Sequence, residues 1–292
     1  MNGDTALHVS GVCFAYEDEG WALRDVEMSA APGEFLAVLA SNGSGKTTLL
    51  KLLARVLLPK RGSIHVLGVE LGRLSTVELH RQVGLVLQNP NDQLFAANVE
   101  EDVAFGPRNL GLPEDEVQRR VGEVLDNVGA TGLRGRAIHH LSFGEQKRVA
   151  VAGVLAMRPS ILLVDEPTAG LDPQGEVQMM QLFRRINREL GVTVVLATHA
   201  VDLLPHVADR LCVLADGRVL GEGMAREILS NIDLLDRARL RLPHVAQLAH
   251  DLVRLDGVLI DVLPLTVAEA RRSILPLVRK DLLSTAASGD RR

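Results

Sequence analysis

Short, unbroken apolar runs alternate along the chain with longer stretches in which apolar residues recur every three or four positions. This alternation predicts an α/β domain built on a largely parallel sheet. Phe35 to Leu39, Val83 to Leu87, Ile161 to Val164 and Val192 to Ala197 read as strands buried on both faces, because they are continuously apolar rather than alternating. Between the second and third runs the texture changes. Val117, Val121, Val124 and Val128 fall at helical spacing within Pro113 to Val128, and Ser142 to Met157 reads as a further helix, so a mainly helical insertion is expected near residues 90–160. Asp172 followed by Pro173 supplies an N-cap and a first-turn proline for a helix ending near Leu190, where Gly191 stops it. Val213 to Leu220, turning at Asp216-Gly217, reads as a hairpin that closes the domain.

Past Met224 the chain becomes rich in Leu and Arg. Arg237, Arg239, Arg241 and Arg254 stand among leucines, and Pro243 and Pro264 interrupt the run. The expected division is a main domain, 1–225, and a small helical extension, 226–292. The extension reads either as a docking or dimerisation element or as a solvated amphipathic tail.

Composition narrows the function classes. The 292 residues, 47% of them hydrophobic, are enough for a substantial core. Thirty-two Lys and Arg against 37 Asp and Glu leave a net charge of −5, which argues against nucleic-acid binding by phosphate neutralisation. Aromatic residues are only 3% of the chain, too few for extensive base-stacking surfaces. Cys13 and Cys212 lie far apart with no Cys-x-x-Cys pair, so neither a zinc site nor a disulfide framework is expected, and a reducing cytosol fits. The start, Met1-Asn2-Gly3-Asp4, lacks the features of a signal peptide. No apolar stretch approaches the ~18 residues of a membrane span, so a membrane, if involved, is expected to be entered by another chain.

The candidate chemistry sits at two strand ends. After the strand ending at Leu39 comes Ala40-Ser41-Asn42-Gly43-Ser44-Gly45-Lys46-Thr47-Thr48, then the helical Leu49-Leu50-Lys51-Leu52-Leu53. Strand, glycine-containing loop and helix opening on Lys-Thr are the context of a phosphate-binding P-loop. The N–H groups of Gly43, Ser44 and Gly45 can turn inward towards an anion, aided by the helix dipole. Lys46 is expected on the β- and γ-phosphates and the Thr47 hydroxyl on Mg²⁺. Ala40 stands where this pattern opens with Gly, and its methyl is tolerable if the backbone there keeps a negative φ. The second strand, Ile161 to Val164, delivers Asp165 and Glu166 at its C-terminal edge, where parallel sheets bind ligands. Strand alternation would send these carboxylates to opposite faces, so Asp165 is expected near Mg²⁺ and Glu166 as the base that polarises an attacking water.

Leu141-Ser142-Phe143-Gly144-Glu145-Gln146-Lys147-Arg148 resembles the signature of ATP-binding-cassette (ABC) ATPases. Ser142-x-x-Glu145 is also a capping box, and a capped helix start facing an anion is one geometry serving both purposes. Further motifs of the family follow in register. Gln88, ending a strand, matches the Q-loop residue that touches both Mg²⁺ or water and the membrane partner. Ala169-Gly170-Leu171-Asp172 matches the D-loop, His199 the switch histidine and Tyr16 the ring on adenine. The resemblance implies a P-loop NTPase of the ABC type: a RecA-like core, an antiparallel β subdomain, a helical subdomain and the C-terminal helical extension. It also implies ATP and Mg²⁺ as cofactors and two cassettes facing head to tail. Each ATP would lie between one P-loop and the other copy's segment Ser142, Phe143, Gly144 and Glu145.

Gln88 to Phe95 and Val99 to Pro107 look like the ATPase subunits of energy-coupling-factor importers. Glu145 to Met157 and Leu240-Arg241-Leu242-Pro243 resemble the cobalt and nickel branch of that group. The resemblance implies a peripheral protein on the cytoplasmic face of the cell membrane. Its partners would be a second ATPase subunit, identical or a paralogue, a transmembrane coupling subunit and a substrate-binding membrane subunit, with no nucleic acid. The cargo is left open between cobalt, nickel and a vitamin. The nine histidines show no ligand-like spacing, so cargo binding is expected to fall to the membrane partners. Three departures, Ala40, Phe143 for the second signature glycine and Ala200 for the acid after the switch histidine, are compatible with a slow or partner-dependent ATPase, but Lys46, Asp165, Glu166, Gln88 and His199 all remain and an active enzyme is the expectation. Ala40 and Phe143 motivate one rival, a weakly catalytic nucleotide-dependent regulator; a second, a soluble ABC ATPase acting on nucleic acid or ribosomes, is disfavoured by the acidic charge, the single cassette and the lack of a long coiled coil.

Overall fold

The structure, a computed structural model, describes residues 5–17 and 20–276. The expectations for Met1 to Asp4 and for 277–292 of the extension lie outside the described residues. In chain order the elements begin with β1 (Leu7–Ala15), β2 (Trp21–Ala30), β3 (Phe35–Leu39), α1 (Lys46–Leu53), β4 (Arg61–Val66), β5 (Val69–Glu70), α2 (Thr76–Gln82) and β6 (Val83–Val86). There follow α3 (Val99–Asn109), α4 (Glu114–Asn127), α5 (Phe143–Leu155), β7 (Ile161–Asp165), α6 (Pro173–Leu190), β8 (Thr193–Thr198), α7 (Leu204–Val207), β9 (Arg210–Ala215) and β10 (Arg218–Met224). The extension holds α8 (Ala225–Leu229), α9 (Ile232–Arg237), α10 (His244–Asp256) and a helical stretch at 267–276.

The central sheet has the order β10-β9-β3-β8-β7-β6, parallel except for the β9–β10 hairpin. A second, antiparallel sheet, β2-β1-β4-β5, packs over α1. Its strands do not read as unbroken apolar runs because only one face is covered. Leu7, Val9, Val12 and Phe14 point inward while His8 is exposed, and a register shift at Gly11 breaks the alternation. The central strands divide two cores. Phe35, Ala37 and Leu39 of β3 face the helical segment and the extension, whereas Leu36 and Val38 face α1 and the antiparallel sheet.

The expected helices form with their expected caps. Asp172 accepts a hydrogen bond from the Gly175 N–H at 2.6 Å, Pro173 opens α6, and Gly191 ends it with φ +67°. α4 carries Glu114, Asp115 and Glu116 in its first turn, where the helix dipole favours them, and buries Val117, Val121 and Val124. Two strand ends differ from expectation. β6 stops at Val86, because the Leu87 N–H turns aside to the Gln93 side chain at 2.9 Å, so Gln88 lies in the loop beyond the strand rather than ending it. β8 begins at Thr193 rather than Val192.

The extension is not a detached tail over its described residues. Leu234, Leu235, Ala238, Leu240, Leu242 and Ala246 join the same core as the helical segment. Asp202, just past β8, fastens it: the carboxylate is bonded by Arg241 and accepts the His244 N–H at 2.8 Å. Burial pushes the Asp202 carboxyl up, but the Arg241 and His244 hydrogen bonds and charges outweigh it and hold the carboxyl below its usual range. The stability it contributes is therefore present above the ordinary carboxylate pKa and lost as pH falls through the depressed one. Asp202→Asn should loosen residues 240–276 by about 1 kcal/mol at neutral pH, given solvent screening of this partly exposed pair. Faster amide exchange there, converging with the parent in acid, is the expected outcome; equal exchange at neutral pH contradicts it.

Candidate active site

The parallel register gathers the site. Leu39 pairs with Thr198, Ala197 with Asp165 and Val164 with Val86, so the chain leaves four neighbouring strands on the same edge of the sheet. The loop 40–45, His199, the Asp165–Glu166 turn and Gln88 therefore converge, although up to 159 positions of sequence separate Ala40 from His199.

Ala40 is fully buried, does not have positive φ, and donates its N–H to the Thr198 carbonyl at 3.1 Å. Its methyl is accommodated in the core beneath the loop. Gly43 and Gly45 take φ of +78° and +98°, and Gly45 caps α1. A Cβ on Gly45 would meet the Ala22 carbonyl at 2.8 Å and Leu23 at 2.7 Å, whereas one on Gly43 would meet nothing within 4 Å. Ser41 and Ser44 share a hydroxyl hydrogen bond of 2.8 Å. Lys46 is 6% exposed and donates to the carbonyls of Ala40 at 2.9 Å and Ser41 at 3.0 Å.

The two carboxylates have separate partners. The Thr47 hydroxyl donates to Asp165 Oδ2 at 2.7 Å, while Asp165 Oδ1 is buried with no hydrogen-bond partner. Burial holds the Asp165 carboxyl above its usual range, against the Thr47 hydrogen bond. Glu166 Oε1 lies 3.3 Å from Lys46 Nζ and 2.9 Å from His199 Nδ1, and Oε2 accepts from the Thr198 hydroxyl at 3.3 Å. The separation was expected from strand alternation, but β7 ends at Asp165. Glu166 is outside the strand with φ +41°, and this left-handed turn aims its side chain. A hydroxyl, a buried carboxylate with an unpartnered oxygen and the nearby Gln88 amide form an oxygen-donor set that suits Mg²⁺.

A cavity of about 520 Å³ opens between the P-loop and the antiparallel sheet, lined by Tyr16, Asn42, Lys46, Thr47, Thr48, Gln88, Glu166 and His199 among others. The Tyr16 hydroxyl shares a hydrogen bond with Thr48 Oγ1 at 3.1 Å, and its ring stands edge-on to Phe14. Trp21, the single tryptophan, also lines this cavity and is 40% exposed. Sequence reasoning missed it, and its rarity was the one available signal. Thr198 and Lys147 were missed as well; each looks like an ordinary strand-end or helix residue.

Ser142, Phe143, Gly144, Glu145 and Asp172 do not line this cavity. Ser142 caps α5 with the expected reciprocal box: its hydroxyl accepts the Glu145 N–H at 3.3 Å and its own N–H donates to the Glu145 carboxylate at 2.7 Å. The Phe143 ring lies beside Gly170 and against the Lys147 ammonium. Burial pushes Lys147 down to about 8, against the charges of Glu166 and Asp165. Among the described residues no group of three or more His, Cys, Asp or Glu is arranged to hold a metal ion.

A P-loop beside an acidic strand end, with a switch-like histidine just past the neighbouring strand, defines a P-loop nucleotide-hydrolysing protein. The ABC transporter family model matches residues 23–169. The energy-coupling factor transporter ATP-binding protein EcfA of Methanocaldococcus jannaschii is 43% identical over 269 residues, covering 91% of this chain and 96% of that protein. Among solved structures, cbiO1 of Clostridium perfringens, described as part of the ABC transporter complex cbiONQ, aligns with TM-score 0.74 and 38% identity over 85% of this chain and 99% of that one. The dimeric ATP-binding cassette MJ0796, in a post-hydrolysis state bound to ADP and phosphate, aligns with TM-score 0.67 and 28% identity over 75% and 99%. The chain belongs to the ABC transporter family, as an ATPase subunit of the energy-coupling-factor type whose cofactors are ATP and Mg²⁺.

The two loop glycines make a discriminating pair. Gly45→Ala, strained in φ and clashing with backbone, should cost about 2 kcal/mol or more in denaturant unfolding, and Gly43→Ala, strained in φ alone, about 1 kcal/mol. Equal losses would contradict this account of the loop.

Proposed function

We propose that this subunit powers uptake of a transition-metal ion, cobalt or nickel, working as a head-to-tail pair on the cytoplasmic face of the membrane. The paired contacts Thr47–Asp165 and Lys46–Glu166–His199 carry the hydrolytic part of this reading, because they separate the residues proposed for the metal from the carboxylate proposed as base at one edge of the sheet. Residues 1–225 form the ATPase unit in this proposal and 226–292 the extension.

Ser41, Asn42, Gly43, Ser44 and Gly45 offer backbone and side-chain donors to the phosphates, Lys46 pairs with the β- and γ-phosphates, and Thr48 supports Tyr16 beneath the adenine. Thr47, Asp165 and Gln88 would hold Mg²⁺, which when bound neutralises charge on the phosphate oxygens. Glu166 accepts the proton of a water whose oxygen attacks the terminal phosphorus as the bond to ADP breaks. His199, hydrogen-bonded to Glu166, orients that carboxylate and reaches the γ-phosphate.

The second copy supplies what this cavity lacks. Ser142 to Glu145 start a capped helix outside the cavity, so their anion-attracting end is available to a facing copy's γ-phosphate, with the loop of Gly170, Leu171 and Asp172 packed on Phe143 and Gly144. Closure is favoured by contacts that exist only while the γ-phosphate is present. Exposed Leu248, Val253, Leu255 and Leu259 on and after α10 support a docking or dimerising role for the extension.

An apolar groove of about 700 Å³, lined by Val77, Leu87, Phe95, Phe105 and Met157, supports the membrane partner. Phe95 and Phe105 are 63% and 48% exposed and meet edge to face, and buried Asp102 holds the Phe95 loop by accepting its N–H at 2.9 Å. The groove adjoins Gln88, so a transmembrane coupling subunit seated there would sense the phosphate site. No helix among the described residues is long and apolar enough to cross a membrane, so the coupling and substrate-binding subunits are assigned to other chains. The choice of a metal cargo rests on the resemblance of Glu145 to Met157 and Leu240-Arg241-Leu242-Pro243 to the cobalt and nickel branch.

Glu166→Gln should lower ATP turnover by about 100-fold or more while an ATP-bound dimer accumulates in size-exclusion chromatography. Hydrolysis at the parent rate, with no trapped dimer, would remove Glu166 from the role of base. Reconstitution with the neighbouring membrane subunits should give ATP-dependent uptake of radiolabelled Co²⁺ or Ni²⁺; uptake of a vitamin instead would replace the cargo and leave the ATPase assignment standing.

A further inference from the structure

Lys147 is absent from the nucleotide cavity yet touches three of the segments that build the site. It lies in the second turn of α5 and is 4% exposed. Its ammonium donates to the Gln88 carbonyl at 2.9 Å and more weakly to the Glu166 carbonyl at 3.5 Å. Phe143, one turn earlier on the same helix face, covers it with its ring centroid 5.3 Å from Nζ. That ring also abuts Gly170, where a Cβ would come within 2.9 Å of Phe143 Cε1.

A buried ammonium is costly unless it is hydrogen-bonded, so its two backbone acceptors fix where it can sit. Both acceptors belong to loops whose conformation matters. Glu166 is held at φ +41°, and its carbonyl also receives the Ala169 N–H at 3.2 Å. The Gln88 loop is fastened to the same helix a second time: Gln93 accepts the Leu87 N–H at 2.9 Å and donates to the Ala150 carbonyl of α5 at 2.9 Å. One helix thus holds the segment that begins at Ser142, the loop bearing Gln88 and the turn bearing Glu166.

We propose that Lys147 is a positioning residue that ties the start of α5 to both Gln88 and Glu166, so that the capped helix end and the hydrolytic carboxylate move as one unit. This rests on the roles given above to Ser142, Gln88 and Glu166. Phe143 serves the same tie by keeping water off the ammonium and packing on the 169–172 loop, which gives the ring at this signature position a use.

The test compares Lys147→Met, which keeps the stem's bulk and removes every donor, with Lys147→Gln, which keeps an uncharged N–H donor on a shorter stem. In the full-length chain, Lys147→Met should lower kcat for MgATP about tenfold or more while KM stays within about twofold, the pattern of lost transition-state positioning rather than lost binding. Lys147→Gln should fall between it and the parent. In a Glu166→Gln background, Lys147→Met should raise the ATP concentration needed for dimerisation. Amide exchange at Leu87 and Ala169 should quicken in Lys147→Met whether or not the chain hydrolyses ATP. Unchanged kcat together with unchanged exchange at those two amides overturns the proposal, as does a loss confined to thermal stability. Should the parent itself neither bind nor hydrolyse ATP, the functional reading fails on its own, and the two amides still decide whether Lys147 holds both loops. If Lys147→Met does not fold, Lys147→Gln carries the same measurements.

Discussion

A buried ammonium and a buried carboxylate meet at the centre of this protein. Lys46 and Glu166 are each under a tenth exposed and lie 3.3 Å apart, one at the head of α1 and the other just past β7. Neither charge is tolerable there without partners, and the surroundings provide them: two P-loop backbone carbonyls for Lys46, and the His199 ring and Thr198 hydroxyl for Glu166. The parallel order β3-β8-β7 is what makes this possible, since it brings the ends of three strands side by side with their loops on one edge. Asp165 and Thr47 form a second contact one residue away on each segment, so two polar pairs stand side by side at the strand ends.

Around this pair the molecule is built in two halves that share the central sheet. One core joins the sheet to α1 and the antiparallel strands, and these place Tyr16 and Trp21 at the mouth of the cavity. The other joins it to the helical segment and the extension. Motion of the helical segment is constrained by Gln93 and Lys147, which bond backbone groups on both sides of the junction. An apolar groove with two exposed phenylalanines lies on that same junction, so a partner pressing there acts on a part of the protein already linked to the phosphate site.

The departures from the family pattern take on physical meaning once packed. Ala40 fits because its backbone is not left-handed and its methyl is absorbed by the core. Phe143 spends its ring on Gly170 and Lys147. The extension, which could have been a solvated tail, instead buries Leu234, Leu235 and Leu242 with the main core and is pinned by Asp202.

Much of this was legible in the chain itself. Buried parallel strands announce themselves as continuous apolar runs, caps as Ser-x-x-Glu and Asp-Pro, and the P-loop as glycines before Lys-Thr, because each depends on residues close in sequence. The antiparallel strands were less legible, since one face is solvated and a register shift breaks the alternation. The sequence by itself determined the kinds of elements, the phosphate loop and the identity of the acidic pair. Only the tertiary structure decided that Glu166 turns out of its strand at φ +41°, that Gln88 leaves β6 early, and that Lys147 reaches two loops 59 and 19 residues away. Those outcomes follow from strand register and from where buried polar groups find partners, which are properties of segments distant in the chain that meet only on folding.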